Sequence, residues 1–452
     1  MYKSTFRKYL TIPLHDYIKN SPRHSYWKKI EKTQYSTEIT LKDIQWLRLQ
    51  NILKHAYNKN EYYNQLFTRA KINPSDIDSY EDIKKIPLLT KDTIRNVGIK
   101  MISKGYDINQ LMICKTGGST GTALDIYITE ECSEMRNACA LRHNRWTGWD
   151  IGEPIAAVWG NPVIDTTLKG KIKNALLNPC IYLDTMKMNP STVREFAKDW
   201  ERVRPTMLYG HAHSLYILAK YVRELEIYNI TPKGILSTSM MLISHEREFI
   251  ENVFKMKIYD RYGCEEVGLI ASECEMHEGM HINIEHLYVE IISHDDIISG
   301  NGSMGEIVVT DLMNEAMPLI RYRIGDVGIL SNKVCSCGRG MPLLSRVIGR
   351  TADFLIKKDG TRIAGVSIIE NTLTKIEGIK QMQIIQKSID SIIIKIVKDC
   401  KYSKYTERLL AEYIEKIFDH NVNIVIDQVI DIPKEKSGKY RFSICEMNDE
   451  LH

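Results

Sequence analysis

The sequence predicts an α/β protein: a large layered α/β domain over residues 1–349, followed by a small α+β domain over residues 350–452. Three observations carry this expectation. From about Pro154, short apolar runs alternate with helical patterns, as strands layered with helices do. The C-terminal stretch reads strand, helix, strand, a unit of about 100 residues that suits a small separate domain. Between the two, Gly349-Arg-Thr-Ala-Asp353 precedes Asp359-Gly360, which reads as a hairpin turn.

The elements follow in order. Leu49, Ile52, Leu53 and Ala56 recur at i, i+3, i+4, i+7 and line one face of a helix. Ile155–Trp159, Thr206–Tyr209 and Gly234–Leu236 read as buried strands, with helices over Val193–Val203 and His245–Phe254. In the small domain Ile392–Val397 is strongly β-forming, and Lys404–Phe418 sets Leu410, Tyr413, Ile414 and Ile417 on one helical face. Val422, Ile424 and Ile426 then alternate with Asn423 and Val425, as in a half-buried strand.

Composition narrows the function classes. The chain has 452 residues, 43% hydrophobic and 26% charged, as ordinary globular proteins do. Lys plus Arg total 61 against 57 Asp plus Glu, and a net charge of +4 is too small to argue for nucleic acid or a membrane surface as the main partner. No apolar run is long enough to cross a bilayer. The N-terminus is basic and aromatic and lacks an apolar signal core, so the cytoplasm is the expected location. Ten scattered cysteines fit reduced thiols with one metal cluster better than a disulfide framework. The oligomeric state stays open, a homodimer included.

Four segments carry chemistry. In Thr116-Gly117-Gly118-Ser119-Thr120-Gly121-Thr122 the glycines let backbone N–H groups converge, and hydroxyls add donors, which suits polyphosphate oxygens. It is no Walker loop, because GxxxxGK[ST] is absent. Tyr259-Asp-Arg-Tyr262-Gly263-Cys-Glu-Glu266 sets a carboxylate at a strand end, where it can hold Mg²⁺. Leu319-Ile-Arg-Tyr-Arg-Ile-Gly-Asp326 is a second strand running into Gly-Asp; the aspartate can accept two ribose hydroxyls, and the arginines can face phosphate. Pro433-Lys-Glu-Lys-Ser-Gly-Lys439-Tyr-Arg441 puts a mobile point charge on a glycine-bearing loop. Each segment alone reads as well as a solvated turn.

Their order changes that. A Gly/Ser/Thr loop, YGxxE, RYRxGD, Gly-Arg before a domain break and a terminal SGK resemble the adenylate-forming superfamily, in its phenylacetate–CoA ligase and CapK-like branch, from about Leu41 to Arg441. The resemblance implies a large N-terminal adenylation domain, a small mobile C-terminal domain, and an ATP-dependent ligase that activates a carboxylic acid as an acyl-adenylate. By position, Thr116 to Thr122 would bind the ATP phosphates, Glu266 would hold Mg²⁺, and Tyr262 and Gly263 would sit by the nucleotide and acyl group. Asp326 would bind ribose with Arg350 helping from the hinge side, Ser239 stands in the adenine-side loop, and Lys439 would assist adenylation. Thr116, Glu266 and Lys439 are thus the expected catalytic residues. The family rotates its small domain for the second half-reaction, which would carry Lys439 out of the site.

Two further segments suggest a structural zinc site. Cys335-Ser-Cys337 follows RYRxGD, and Cys274-Glu-Met-His277-Glu-Gly-Met-His281 follows YGxxE. A similar set in this branch favours Cys274, His281, Cys335 and Cys337, while spacing leaves His277 as a competitor.

The sequence departs from the family pattern in places. Thr122-Ala123 replaces the Gly-Lys that usually ends the phosphate loop, Ser239-Met240 replaces Gly-Glu, and Ala352 replaces a hinge acid. ATP binding would then lean on amides, hydroxyls or Lys115. Lys357–Gly365 resembles the CapK-like version more than the glycine-rich turn of CoA ligases, so an amine or sugar hydroxyl rivals CoA as acceptor. The alternatives are an aryl–CoA ligase and a zinc-braced binding protein with a relic ATP site; a P-loop kinase fails on the missing GK[ST].

Overall fold

The computed structural model describes residues 2–115, 124–160, 167–293, 302–350, 354–360, 362–418, 422–433 and 441–449. The predicted helix extends over Glu38–Lys59, capped where the Thr37 side chain accepts from Thr40 N, and it buries Leu49, Ile52, Leu53 and Ala56.

Among the described residues, eleven strands form one sheet. Its parallel half runs Cys180–Asp184, Ile155–Trp159, Met207–His211, Gly234–Thr238, Ile258–Cys264. The three inner strands Ile155–Trp159, Met207–His211 and Gly234–Thr238 are buried on both faces, which is why they read as apolar runs without alternation. The helices Pro190–Val203, Ala212–Glu224 and Ser244–Phe254 cover one face through Val193, Phe196, Leu215, Leu218 and Ile250. Helix Glu130–Trp146 covers the other, with Met135, Ala138 and Cys139 against Met207 and Leu236.

The antiparallel half differs from the expectation. Tyr262-Gly263 and Gly325-Asp326 read as strand ends, yet they lie inside the strands Ile258–Cys264 and Tyr322–Leu330. The glycines mark irregularity instead of termination: the register slips between Tyr262 and Gly263, and Gly325 adopts φ +89° within its strand. A glycine inside a strand bends and re-aims it without ending it.

Beyond residue 353, the hairpin Phe354–Ile356/Arg362–Ala364 turns through Gly360 at φ +83°. A four-stranded sheet follows, in which Ile384, Ile392, Ile394 and Ile396 pack with Leu410 and Ile414 of helix Lys404–Ile417 in a core of their own. Tyr413 and Ile417 lie partly buried against it, on the face the periodicity indicates.

The large core also holds an ion pair. The fully buried Arg142 donates to Glu285 Oε1 at 2.8 Å and to Asn283 at 2.6 Å. Glu285→Ala leaves that guanidinium uncompensated and is expected to cost about 3–5 kcal/mol in denaturant unfolding. Arg142→Met/Glu285→Leu should recover most of the loss; equal stability of the single variant and the parent would contradict this.

Candidate active site and metal cluster

Three strands separate Ile258–Cys264 from Tyr322–Leu330 in hydrogen-bonding order, yet the sheet curls enough for side chains to meet across the gap. The Tyr262 hydroxyl donates to Asp326 Oδ2 at 2.7 Å, and the Tyr322 hydroxyl donates to Glu266 Oε1 at 3.1 Å. Burial, and then the Asp326 charge, hold the Tyr262 phenol well above its ordinary range, so it stays a donor. Lys91 Nζ lies 3.9 Å from Glu266 Oε1. A Cβ added at Gly325 would also come within 3.9 Å of it. An ammonium, two carboxylates and two phenols thus share one side of the curled sheet.

Arg136, buried on helix Glu130–Trp146, ties this region together. It donates to Glu266 O at 2.8 Å, to Glu265 O at 3.3 Å and to Asp311 Oδ2 at 2.9 Å, and its Nη1 lies 3.8 Å from Cys114 Sγ. Cys114 belongs to the hairpin Met112–Lys115/Asp125–Ile128. Gly268 makes room for the arginine: at φ +76°, an added Cβ would lie 2.8 Å from Arg136 Cδ.

Ser239 adopts φ +64°, the left-handed conformation that glycine takes without strain. Beside it, Met240 packs against Val397, Ile432 and Phe442 of the C-terminal region, and Met241 Cε comes within 3.3 Å of where a Cβ on Gly349 would be. Asp326 stands opposite Arg350 in strand register. Ser237 donates to Asp260 Oδ1 at 2.7 Å, and Glu273 Oε2 accepts from Asp260 N at 2.8 Å. Burial, and then the Glu273 charge, push the Asp260 carboxyl up to about 6.

A cavity of about 630 Å³ lies on the helix Glu130–Trp146 face of the parallel strands, walled by Ala157, Trp159 and Tyr209, by Asn144, and by Ile12 and Asp16 of the N-terminal helices. Trp159 stacks on Tyr209 at 5.4 Å between centroids, and Arg261, next to Tyr262 in the chain, sits over the Tyr209 ring and binds Asn144.

The ligating atoms of Cys274, His281, Cys335 and Cys337 lie within 4.8 Å of one another. Cys274 Sγ and Cys335 Sγ are 3.6 Å apart, and Cys337 Sγ is 3.3 Å from His281 Nε2. Two sulfurs on one tetrahedral zinc at about 2.3 Å would stand about 3.8 Å apart, so the donor set fits that ion. His281 Nδ1 donates to Met341 O at 3.3 Å, which leaves Nε2 as the ligand-type lone pair. Burial, above all, lowers His281 to about 4 and keeps the ring neutral. His277 instead meets Glu273 at 3.2 Å, outside the cluster.

Comparison with known proteins bears on the whole chain. A family model for the CapK C-terminal domain matches residues 355–446. Protein CapK of Staphylococcus aureus is 23% identical over 435 residues, 95% of this chain and 94% of that protein. Phenylacetate-coenzyme A ligase of Escherichia coli (strain K12) is 25% identical over 388 residues, 81% of this chain and 85% of that one. The fold matches 2-hydroxyisobutyryl-CoA ligase in its postadenylation state with 2-HIB-AMP, at TM-score 0.72 and 18% identity over 90% of both chains. The chain is thus similar over most of its length to CapK and to phenylacetate-coenzyme A ligases, and it shares its fold with an acyl-CoA ligase.

In this chain, Tyr262, Gly263, Glu266 and Asp326 come together, and Ser239 stands beside the strand end that pairs with Asp326. The segment Thr116 to Thr122, Ala352 and Lys439 lie outside the described residues, as does the side chain of Arg350. One reading needs correction. Arg321 does not face phosphate: it is buried, its Nη2 lies 3.0 Å from Glu290, and it donates to Ile86 O at 2.6 Å. Arg323 pairs with Glu306 at 3.1 Å. Cys264 packs against the main core with its thiol pushed up by burial, as an inert thiol would be. Arg136 and Lys91 escaped the sequence, because neither stands in a motif; Tyr322 stands within RYRxGD, but its partner Glu266 lies 56 positions away and no local pattern pairs them.

A carboxyl whose folded pKa is raised contributes stability below its unfolded value and loses it as pH climbs through the folded one. Asp260→Asn should therefore raise the thermal midpoint relative to the parent at about pH 8 and by less at about pH 5. An equal shift at both would show that this carboxyl is not the cause.

Proposed function

We propose that the protein is an ATP-dependent, AMP-forming ligase that activates a carboxylic acid as an acyl-adenylate and passes the acyl group to an acceptor. The observation that carries this reading is the meeting of Tyr262, Glu266 and Asp326 on one side of the curled sheet. The packing of Ile432 and Phe442, which flank the Lys439 segment, on Met240 beside Ser239 supports it.

A carboxylate is a poor electrophile, and joining it to AMP makes a mixed anhydride with a good leaving group. That step needs positioning and neutralised phosphate charge more than a covalent nucleophile. Asp326, oriented by Tyr262, takes the ribose hydroxyls, and Glu266 would hold Mg²⁺ on the phosphates. Thr116 to Thr122 cradle the phosphates; Lys91 supplies a cation that this glycine loop lacks; Arg350 and Ser239 border the nucleotide. Lys439 enters for adenylation and leaves when the domain of residues 350–452 rotates. The cavity lined by Tyr209 and Trp159 takes the acyl chain.

The CapK C-terminal match favours an amine or sugar hydroxyl as acceptor, in polysaccharide decoration or secondary metabolism in the cytoplasm. CoA is the second reading, favoured by the likeness to phenylacetate-coenzyme A ligase across 81% of this chain. Cys274, His281, Cys335 and Cys337 would hold a structural zinc that braces two loops and takes no part in the chemistry.

Labelled pyrophosphate should exchange into ATP only with the correct acid, across a panel of aryl, fatty, amino and hydroxy acids, and AMP should be the product. Lys439→Ala should slow adenylation about a hundredfold with an unchanged thermal midpoint; an unaltered rate removes its role. ADP as product, or no exchange with any acid, would overturn the ligase reading, and adding CoA or amines to the active pair decides the acceptor. Metal analysis should find about one zinc per chain, lost together with stability in Cys335→Ser. Metal-free protein of equal stability would reject that site.

A further inference from the structure

Two neighbouring helical segments beside the cavity turn their apolar residues outward, the reverse of an ordinary surface helix. In the N-terminal run, Phe6, Leu10, Leu14 and Ile18 recur every fourth residue as one stripe and are 51%, 51%, 54% and 70% exposed. Its inward side is the polar one: Arg7 is buried and donates to Gly152 O at 2.6 Å, and Asp16 is buried against the cavity. Helix Leu168–Leu176 repeats the pattern, with Leu168, Ile172 and Leu176 at 75%, 51% and 44% exposure. Thr11 Oγ1 donates to Leu176 O at 2.7 Å, and Arg7 Nη1 donates to Ala175 O at 3.4 Å, so the two segments are joined side by side. Large contiguous apolar patches on a protein surface mark interaction sites.

Charge selects the occupant. Helix Leu168–Leu176 interleaves its apolar stripe with exposed Lys169, Lys171 and Lys173 and carries no carboxylate. Residues 2–19 add the exposed Lys19, while Lys8 pairs with Asp150, and their single acid, Asp16, is buried against the cavity. A chain whose net charge is only +4 thus concentrates an excess of positive charge on two short segments. Tyr9 and Tyr17 flank the first stripe at 70% and 84% exposure; such half-polar rings settle at a membrane–water boundary. Lysines that meet lipid phosphates around leucines and isoleucines that enter the acyl boundary are the chemistry of an interfacial helix. A protein partner would need an acidic, apolar groove of matching width, whereas a bilayer supplies both features at any width.

We propose that these two segments form a docking face for an anionic lipid bilayer. Their inward sides continue into the cavity wall through Ile12, Asp16 and Leu177, so docking sets the cavity directly over the lipid surface. The face stands whether or not the ligase reading does, because vesicle binding needs no catalysis.

Flotation of the full-length protein with vesicles tests it. The protein should float with phosphatidylcholine vesicles that contain phosphatidylglycerol and not with phosphatidylcholine alone, at about 0.1 M salt, and should detach near 1 M. Lys169→Glu/Lys171→Glu/Lys173→Glu should lower partitioning at least about a hundredfold. Leu10→Ser/Leu168→Ser/Ile172→Ser should also abolish flotation; both variants change exposed side chains and should keep the parent's thermal midpoint. No flotation with anionic vesicles, or flotation that survives the charge reversal, overturns the proposal. So does a parent dimer in sedimentation, without vesicle binding, that the serine variant turns into monomer: the face would then be an interface between copies of the chain.

Discussion

One guanidinium with little access to water holds the candidate site together. Arg136 reaches the carbonyls of Glu265 and Glu266, the carboxylate of Asp311 and the thiol of Cys114. A buried arginine of this kind must have its donors met, since an uncompensated charge in the core costs several kcal/mol. That demand fixes the turn bearing Glu266 relative to the hairpin from which the glycine-rich segment departs. Gly268 is part of the same constraint, because any side chain there would occupy the space of the arginine stem.

Curvature of the sheet does the remaining assembly. Flat strands with three others between them could not share a hydrogen bond between Tyr262 and Asp326. The register slip beside Gly263 and the left-handed Gly325 bend the strands that carry them, and bending brings the two carboxylates to one side. The cluster of Cys274, His281, Cys335 and Cys337 gathers the connections that follow strands Gly268–Glu273 and Tyr322–Leu330, with Trp146 and Leu41 packed beside it.

The N-terminal helices have two faces with separate demands. Inward, Arg7 packs so closely under Gly152 that a Cβ there would meet Ser4 O at 2.7 Å. Outward, the apolar stripe stays half or more exposed among the described residues, and the lysines beside it give the surface a sign that the total charge of the chain conceals.

Legible in the amino-acid pattern alone were the layered α/β class, the strands at Ile155–Trp159 and Gly234–Leu236, the helix bearing Leu410 and Ile414, and Tyr262, Glu266 and Asp326 as candidates. These are local matters, written in periodicity and in motifs a few residues long. Periodicity also failed locally where glycine bends a strand without ending it, as at Gly263 and Gly325. Only the tertiary structure decided that His281 and not His277 joins the three cysteines, that Arg321 belongs to Glu290, and that Arg136, Lys91 and Tyr322 gather around Glu266. Those pairings join residues tens to hundreds of positions apart. Which of several equivalent side chains meets a given partner follows from strand curvature and burial, and neither is encoded within any one segment.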